Sequence, residues 1–137
     1  GRAMLDRVEI GDHRGVGLLF ADVDKLKEIN DQHGHDAGDK VLGELAEAIR
    51  RALRPGDLAY RWGGDEFIVL CEDVADPVAL EGIVKRLGSL AVSYLGNTVV
   101  SMSIGSAFVS PGEVANLQNL ITSADADMYR RKTGARQ

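Results

Sequence analysis

The chain has 137 residues, of which 45% are hydrophobic and 27% are charged, so we expect one globular domain with a single core. Its formal net charge of −5 argues against a surface that coats nucleic acid. The lone cysteine, Cys71, excludes an internal disulfide framework and suits a reducing compartment. No apolar run reaches the roughly 20 residues of a membrane span. We therefore expect a cytoplasmic location for this region.

The sequence begins at Gly1 and runs directly into a predicted short helix at residues 2–10. We accordingly expect residues 1–137 to be one domain, excised from a longer multidomain protein. Any membrane anchor of the parent protein would then lie outside this region.

The apolar run "GVGLLFADVD" at residues 15–24 predicts a buried strand with Asp22 and Asp24 near its C-terminal end. Residues 25–39 are polar and punctuated by glycine, which favours a helical turn followed by a loop. Residues 39–53 carry apolar side chains at helical spacing and predict an amphipathic helix packed on a sheet.

Two strands are predicted at residues 57–62 and 65–71, on either side of Gly63-Gly64. A two-residue Gly-Gly loop indicates a hairpin, because both glycines can adopt positive φ. This register predicts three facing pairs, which are Trp62–Asp65, Tyr60–Phe67 and Arg61–Glu66.

Residues 77–91 predict a helix, residues 98–109 a strand preceded by a turn at 95–97, and residues 114–132 a final helix. The predicted core order βαββαβ is typical of the α+β class, with a ferredoxin-like or palm-like antiparallel sheet and flanking helices. In that arrangement we expect the core helices to pack on one face of the sheet.

The first and third core strands of a ferredoxin-like sheet are neighbours, so Asp22 and Asp65 should meet at one edge of the sheet. Carboxylates at strand ends suit Mg²⁺, which prefers oxygen ligands and usually keeps water and phosphate as its other ligands. On the residues alone, the alternative is that Asp65 and Glu66 simply make a hairpin tip soluble.

The pentapeptide GGDEF at residues 63–67 lies within "RWGGDEFIVL". Three further segments, "FADVDKLKEINDQHGHDAGDKVL", "SMSIGSA" and "ADADMYRRKTGAR", complete a pattern that covers essentially the whole chain. The chain resembles the GGDEF family of diguanylate cyclases. This resemblance implies a nucleotidyltransferase that condenses two GTP molecules into the bacterial second messenger cyclic di-GMP and pyrophosphate, as a homodimer of two half-sites.

The resemblance also implies a metal site formed by Asp22, Asp65 and the backbone carbonyl of Val23. The expected ion is Mg²⁺, with Mn²⁺ as the alternative. Asp65 would help to activate the attacking 3′-hydroxyl, and Glu66 would stand beside it, near a second ion. For Asp24 two interpretations stay open, a helix cap and a supporting role behind the metal site.

The guanine base is expected to be read by Asn30 and Asp39, with His35 lining the substrate pocket. A carboxylate can accept from guanine N1 and N2, and an amide can complement the edge of the base. Without the resemblance, Asn30 would be interpreted as a turn residue, Asp39 as a helix cap and His35 as structural.

The phosphates are expected to contact Lys27, which would act in catalysis with Asp65, and also Lys132 and Arg136. The family commonly reads Lys-x-x-Gly-Arg at the last two positions, whereas this chain reads "KTGAR". Arg130 and Arg131 are the alternatives to Arg136. On the residues alone, the alternative is a solvated, basic helix C-terminus that is favoured by the helix dipole and binds no ligand.

The segment "RPGD" matches the family's R-x-x-D motif and predicts a product-inhibition site at Arg54 and Asp57. Its alternative is a helix end followed by a turn. The resemblance implies GTP and cyclic di-GMP as ligands, and an upstream sensory or regulatory domain, in some relatives a phosphodiesterase domain. The alternative function is a non-catalytic domain that binds GTP or cyclic di-GMP and regulates an attached module.

Overall fold

A computed structural model describes residues 9–10, 13–94 and 98–134. Within these residues the chain forms eight strands and four helices. The strands are β1 (Glu9–Ile10), β2 (Val16–Val23), β3 (Leu58–Arg61), β4 (Glu66–Cys71), β5 (Val92–Tyr94), β6 (Thr98–Val100), β7 (Met102–Val109) and β8 (Ala115–Asn116). The helices are α1 (Leu26–His33), α2 (His35–Ala52), α3 (Pro77–Gly88) and α4 (Leu117–Gly134).

The main sheet has four strands in the order β3-β4-β2-β7, and every neighbouring pair is antiparallel. This arrangement confirms the predicted α+β class and the predicted neighbourhood of the first and third core strands. β2 lies inside the sheet and is buried along nearly its whole length, which explains its continuous apolar run. None of the helices in the described part of the chain is long and apolar enough to cross a membrane.

Alternation along β2 divides the core into two clusters on opposite faces of the sheet. Leu19 and Ala21 face α1, α2 and α3, whereas Leu18 and Phe20 face α4. The two helices of the predicted βαββαβ core, α2 and α3, therefore share one face as expected. The additional C-terminal helix covers the other face.

The polar stretch at residues 25–39 is helical almost throughout, which corrects the prediction of a turn and a loop. α1 buries only Leu26 and Ile29, so its apolar periodicity is too weak to stand out in the sequence. Gly34 separates α1 from α2, because its φ of +91° ends one helix and begins the next.

The end regions of the sequence also differ from prediction. Residues 9–10 form a strand that pairs with β8, so they are not helical. The rest of the helix predicted at 2–10, and the turn predicted at 95–97, lie outside the described residues. The strand predicted at 98–109 is interrupted at Ser101, and its first part pairs with β5 in a separate hairpin.

The hairpin between β3 and β4 has a three-residue loop, Gly63–Asp65, rather than the predicted Gly-Gly loop. The Trp62 N–H donates to the Glu66 carbonyl at 2.8 Å, and Arg61 pairs with Phe67. Neither Gly63 nor Gly64 is among the glycines with positive φ. The register is therefore shifted by one residue, and three predicted pairs are wrong, namely Trp62–Asp65, Tyr60–Phe67 and Arg61–Glu66.

α4 is fixed on the sheet at β7. A Cβ added at Gly105 would overlap the α4 backbone at Ala124 and Met128, so only glycine allows the helix to approach this closely. Between these two helix residues, an Asp127 carboxylate oxygen accepts from the backbone N–H of Ser106 at 2.8 Å. These contacts hold the C-terminal half of α4 beside the ends of β2 and β7.

Candidate functional site

The two predicted metal-binding aspartates meet at one edge of the sheet. β2 runs antiparallel to β4, so the C-terminal end of β2 lies next to the N-terminal end of β4, with Asp22 opposite Glu66. The loop residue Asp65 is tied to β2, because its carbonyl accepts from the Val23 N–H at 2.9 Å. Asp22 and Asp65, more than forty positions apart in the sequence, are thereby brought together.

Asp22 carries an unusual charge environment. Burial, with a further contribution from the neighbouring Asp65 carboxylate, raises the pKa of Asp22 to about 6, against the opposing effect of Lys132. Its Oδ2 lies 3.4 Å from Lys132 Nζ, but its Oδ1 is buried and has no hydrogen-bond partner in the described part of the chain. A buried, unsatisfied carboxylate oxygen beside a second carboxylate is stabilised by a cation.

The donor set fits a hard divalent cation that keeps some ligands of its own. In residues 13–94 and 98–134 no group of three or more His, Cys, Asp or Glu side chains converges as a complete metal site. The protein therefore offers the two carboxylates of Asp22 and Asp65, with backbone oxygen nearby, and water or phosphate would complete the shell. This is the usual pattern for Mg²⁺ and differs from a closed structural metal site.

A cavity of about 480 Å³ opens beside Asp65, between the hairpin loop and helices α1 and α2. Lys27, Asn30, His35 and Asp39, which the sequence predicts as substrate contacts, all line it. Its volume lies within the usual range for small-molecule sites. The remaining lining residues are Leu26, Asp31, Leu42, Arg61 and Gly64.

Asn30 is held in the wall of this cavity by the start of α2. A Cβ added at Gly38 would overlap Asn30 Oδ1, so glycine at that position makes room for the amide. Asn30 Oδ1 is buried and lacks a hydrogen-bond partner among the described residues. A buried amide oxygen without a partner costs stability, and a ligand N–H is one group that can satisfy it.

A second cavity, of about 400 Å³, lies on the other side of the acidic residues. It is lined by Asp24, Lys25, Glu28, Val99, Ser101 and Lys132. Lys25 precedes α1 in the left-handed conformation, with φ of +62°, and provides no side-chain cap. Within the described part of the chain no side chain caps the first N–H groups of α1, and such N–H groups suit an anion. Neither Lys25 nor Ser101 was predicted as a site residue, because neither lies in a recognisable sequence pattern.

Asp24 links three elements and does not cap α1. Its Oδ1 accepts from Ser103 Oγ at 2.7 Å and lies 3.7 Å from Lys132 Nζ, and its N–H donates to the Ser101 carbonyl at 2.9 Å. Of the two interpretations left open by the sequence, the geometry favours a supporting role beside the acidic pair.

The basic residues of α4 divide into two groups. Lys132 points to Asp22 and Asp24, whereas Arg131 forms a two-contact ion pair with Glu81 of α3, at 3.0 and 2.9 Å, and bonds Asp127 at 2.8 Å. The contact with Arg131 lowers the pKa of the Glu81 carboxyl. Arg131 is thus engaged away from the cavities. Arg136 lies outside the described residues.

Arg54 and Asp57 form an intramolecular ion pair at the opposite end of β4. The Arg54 guanidinium donates to both Asp57 carboxylate oxygens, at 3.0 and 3.1 Å, and to the Glu72 carbonyl at 2.7 Å. Asp57 is buried, and the pair raises the pKa of Arg54. Six strand residues separate this pair from the metal edge, about 20 Å at the rise of a β-strand. Its use by a product molecule stays a prediction.

Arg61, which was predicted to face Glu66, is a residue of the site. Its guanidinium folds over the hairpin loop and donates to the carbonyls of Gly63 and Gly64, at 3.3 and 2.8 Å. It therefore braces the loop that carries Asp65, and it lines the 480 Å³ cavity. The shifted hairpin register is what places it there.

A four-stranded antiparallel sheet with acidic residues at the ends of its central strands defines a palm-like α+β domain. Comparisons with known proteins narrow this class. The family model described as "Diguanylate cyclase, GGDEF domain" matches residues 3–137, so the chain belongs to the GGDEF domain family.

Individual relatives agree with this assignment. The chain is 40% identical, over 93% of its length, to the bifunctional diguanylate cyclase/cyclic di-GMP phosphodiesterase MucR of Pseudomonas aeruginosa. It is 37% identical, over 87% of its length, to the diguanylate cyclase DgcM of Escherichia coli K12. The chain spans only 19% of MucR and 29% of DgcM.

A solved structure shows the same fold. The GGDEF domain of DgcB from Caulobacter crescentus, crystallised in complex with cyclic di-GMP, matches with a TM-score of 0.70 and 31% sequence identity. The match covers 88% of this chain and 73% of that one.

Proposed function

We propose that this domain is one half of a diguanylate cyclase, which binds one GTP and condenses it with the GTP of a second copy into cyclic di-GMP, releasing pyrophosphate. The observation that carries the proposal is the junction of Asp22 and Asp65 beside a cavity lined by the predicted base-reading side chains. Membership of the GGDEF family and its diguanylate cyclase relatives support the same reaction.

Asp22 and Asp65 would hold Mg²⁺, or Mn²⁺ in its place, with the Val23 carbonyl as a third oxygen ligand. When bound, such an ion offsets the negative charge of the phosphates and favours ionisation of the attacking hydroxyl. The Oδ1 of Asp22 supports this assignment, because the described part of the chain provides it with no hydrogen-bond donor. Asp65, held by its bond to β2, would also orient the 3′-hydroxyl, with Glu66 beside it.

Asn30 and Asp39 would read the guanine edge from the wall of the 480 Å³ cavity, with His35 at its margin. A carboxylate and an amide match the N–H donors of guanine and would leave adenine poorly satisfied. Lys27 lines the same cavity and would contact the phosphates there. Lys132, and Arg136 beyond the described residues, would hold the outer phosphates.

The reaction requires two copies of the domain, because each would supply one GTP and each hydroxyl would attack the α-phosphate of the other nucleotide. We propose Arg54 and Asp57 as the product-inhibition site, distinct from the metal edge. We also propose that the domain works downstream of a sensory or regulatory module, as its partial coverage of MucR and DgcM suggests.

The test is cyclic di-GMP formation from GTP and Mg²⁺ over a series of protein concentrations. A rate that rises faster than linearly with protein would support a site assembled from two copies. Asp65→Ala should remove turnover while leaving the fold intact. Asp125→Ala, which removes an exposed carboxylate of α4, is the matched control and should leave turnover unchanged.

Two results would count against the proposal. Product formation by Asp65→Ala at the wild-type rate would exclude Asp65 as a ligand. Nucleotide binding without product at any protein concentration, in a chain held as a dimer by a fused dimerising segment, would favour a non-catalytic regulatory domain.

A further inference from the structure

Lys132 bridges two carboxylates at the end of β2. Its Nζ lies 3.4 Å from Asp22 Oδ2 and 3.7 Å from Asp24 Oδ1, and its side chain is 32% exposed. The same ammonium group therefore acts as counter-ion to two aspartates in the nucleotide-free protein.

One of these carboxylates is also a proposed metal ligand. Asp22 uses Oδ2 for Lys132, while its Oδ1 is buried without a partner among the described residues, and the Asp65 carboxylate lies close by. A divalent ion on Asp22 would stand within a few ångströms of the lysine ammonium. Two cations at such a short separation repel each other strongly in a partly buried site. Binding of a metal to Asp22 and the ion pair between Lys132 and Asp22 therefore disfavour each other.

The contacts of Lys132 with the two aspartates can break without disturbing the surrounding structure. Asp24 keeps its 2.7 Å hydrogen bond from Ser103 when the lysine is gone, so the carboxylate stays in place and partnered. α4 itself is held by other contacts, namely the close approach at Gly105 and the ion pair of Arg131 with Glu81. Only the flexible lysine side chain has to move.

Lys132 also lines a cavity that suits an anion. It lines the 400 Å³ polar cavity together with Lys25 and the start of α1, whose first N–H groups suit an anion. A phosphate group bound in this cavity would provide the ammonium with a new negative partner.

We infer that Lys132 is the resident counter-ion of Asp22 and Asp24 before a nucleotide binds, and that it transfers to the phosphates when nucleotide and divalent metal bind. This inference rests on the proposed metal and GTP site. It follows that metal alone binds weakly, since it competes with Lys132. Nucleotide relieves that competition and raises the affinity for metal, and by linkage metal raises the affinity for nucleotide.

The test measures Mn²⁺ binding to the nucleotide-free protein by electron paramagnetic resonance at pH 8. Lys132→Met keeps the length of the side chain and removes its charge. It should bind Mn²⁺ about tenfold more tightly than wild type, which corresponds to about 1.4 kcal/mol. Lys132→Arg keeps the charge and should bind as weakly as wild type. Lys85→Met, an exposed lysine of α3, controls for loss of one positive charge and should leave the affinity unchanged.

A second titration adds a non-hydrolysable GTP analogue. The analogue should raise the Mn²⁺ affinity of wild type by a larger factor than that of Lys132→Met, and the variant should bind the analogue more weakly. An Mn²⁺ affinity of Lys132→Met equal to or below that of wild type would overturn the inference. The Mn²⁺ titration needs no turnover, so its result is separate from the test of cyclase activity. The inference about Lys132 can hold for a domain that forms no cyclic di-GMP, and it can be wrong for a domain that is an active cyclase.

Discussion

Asp22 is predicted to reduce the stability of the nucleotide-free domain, so Asp22→Asn should stabilise the fold while removing metal-dependent activity. The pKa of this carboxyl rises from 3.8 to about 6 because of burial and the neighbouring Asp65 charge. Asparagine has nearly the same shape, keeps an acceptor for Lys132, and carries no charge to desolvate. Functional sites commonly hold charge arrangements of this kind at the expense of stability.

The magnitude follows from the pKa. A rise of about two units corresponds to about 3 kcal/mol of unfolding free energy lost when Asp22 is ionised in the folded state. This net rise already includes the opposing attraction of Lys132, and solvent screening of a partly exposed carboxyl reduces the energy by about 1 kcal/mol. We therefore expect Asp22→Asn to gain about 2 kcal/mol at pH 8, or about 6 °C in Tm for a domain of this size.

The sign of the pH dependence is specific. Between about pH 4 and pH 6 the folded state binds more protons at Asp22 than the unfolded chain does, so wild type loses stability as the pH rises through this window. Above about pH 6 the gain in unfolding free energy of Asp22→Asn over wild type is complete. As the pH falls toward 4, this gain shrinks toward zero.

The assay is urea unfolding followed by circular dichroism at pH 4 and pH 8, at constant ionic strength and without divalent metal. Asp24→Asn is the matched control, because it keeps an acceptor for Ser103 but removes the negative charge that strengthens this hydrogen bond and attracts Lys132, so it should lose about 1 kcal/mol instead of gaining. The reasoning is refuted if Asp22→Asn is no more stable than wild type at pH 8, or if its gain is the same at both pH values.

Three other substitutions test separate parts of the structure. Arg54→Ala should lose about 2 kcal/mol in urea unfolding, because it leaves the buried Asp57 carboxylate without its two-contact partner. Cyclic di-GMP should also inhibit this variant less than wild type. An unchanged inhibition curve would mean that the motif is only a turn. Gly105→Ala should lose about 2–3 kcal/mol, since the added Cβ overlaps the α4 backbone, whereas Gly82→Ala on the open face of α3 should gain up to about 1 kcal/mol. Equal effects of the two would contradict the close helix–strand contact. Asp39→Ala should lose the preference for GTP over ATP in competition binding, and retained selectivity would remove Asp39 from base recognition.

Much of the fold could be predicted because the relevant signals are local. The continuous apolar run of β2 marks a strand buried on both faces, and the helical spacing of apolar residues in α2 marks an amphipathic helix. The order of these elements was enough to predict that the first and third core strands are neighbours. The meeting of Asp22 with the start of β4 followed from that neighbourhood.

Other features were missed or misplaced because their signals are not local. α1 is polar apart from Leu26 and Ile29, so nothing in its own sequence distinguishes it strongly from a loop. The hairpin register was wrong by one residue because the loop is drawn to β2 by the bond between Asp65 and Val23, a contact between distant parts of the chain. The same shift places Arg61 over the loop carbonyls.

Neighbouring residues were enough to predict the strands of the main sheet and the principal helices, because hydrophobic periodicity is local. They also carry the acidic residues at the strand ends and the motifs of the family resemblance. Which charges face each other depends on the packing of the folded chain and could not be predicted from local sequence. Lys132 reaches Asp22 because α4 packs onto Gly105. Asn30 Oδ1 is buried because α2 begins beside it, and it has no hydrogen-bond partner among the described residues. Such pairings depend on how distant segments pack, and packing is set by the whole core.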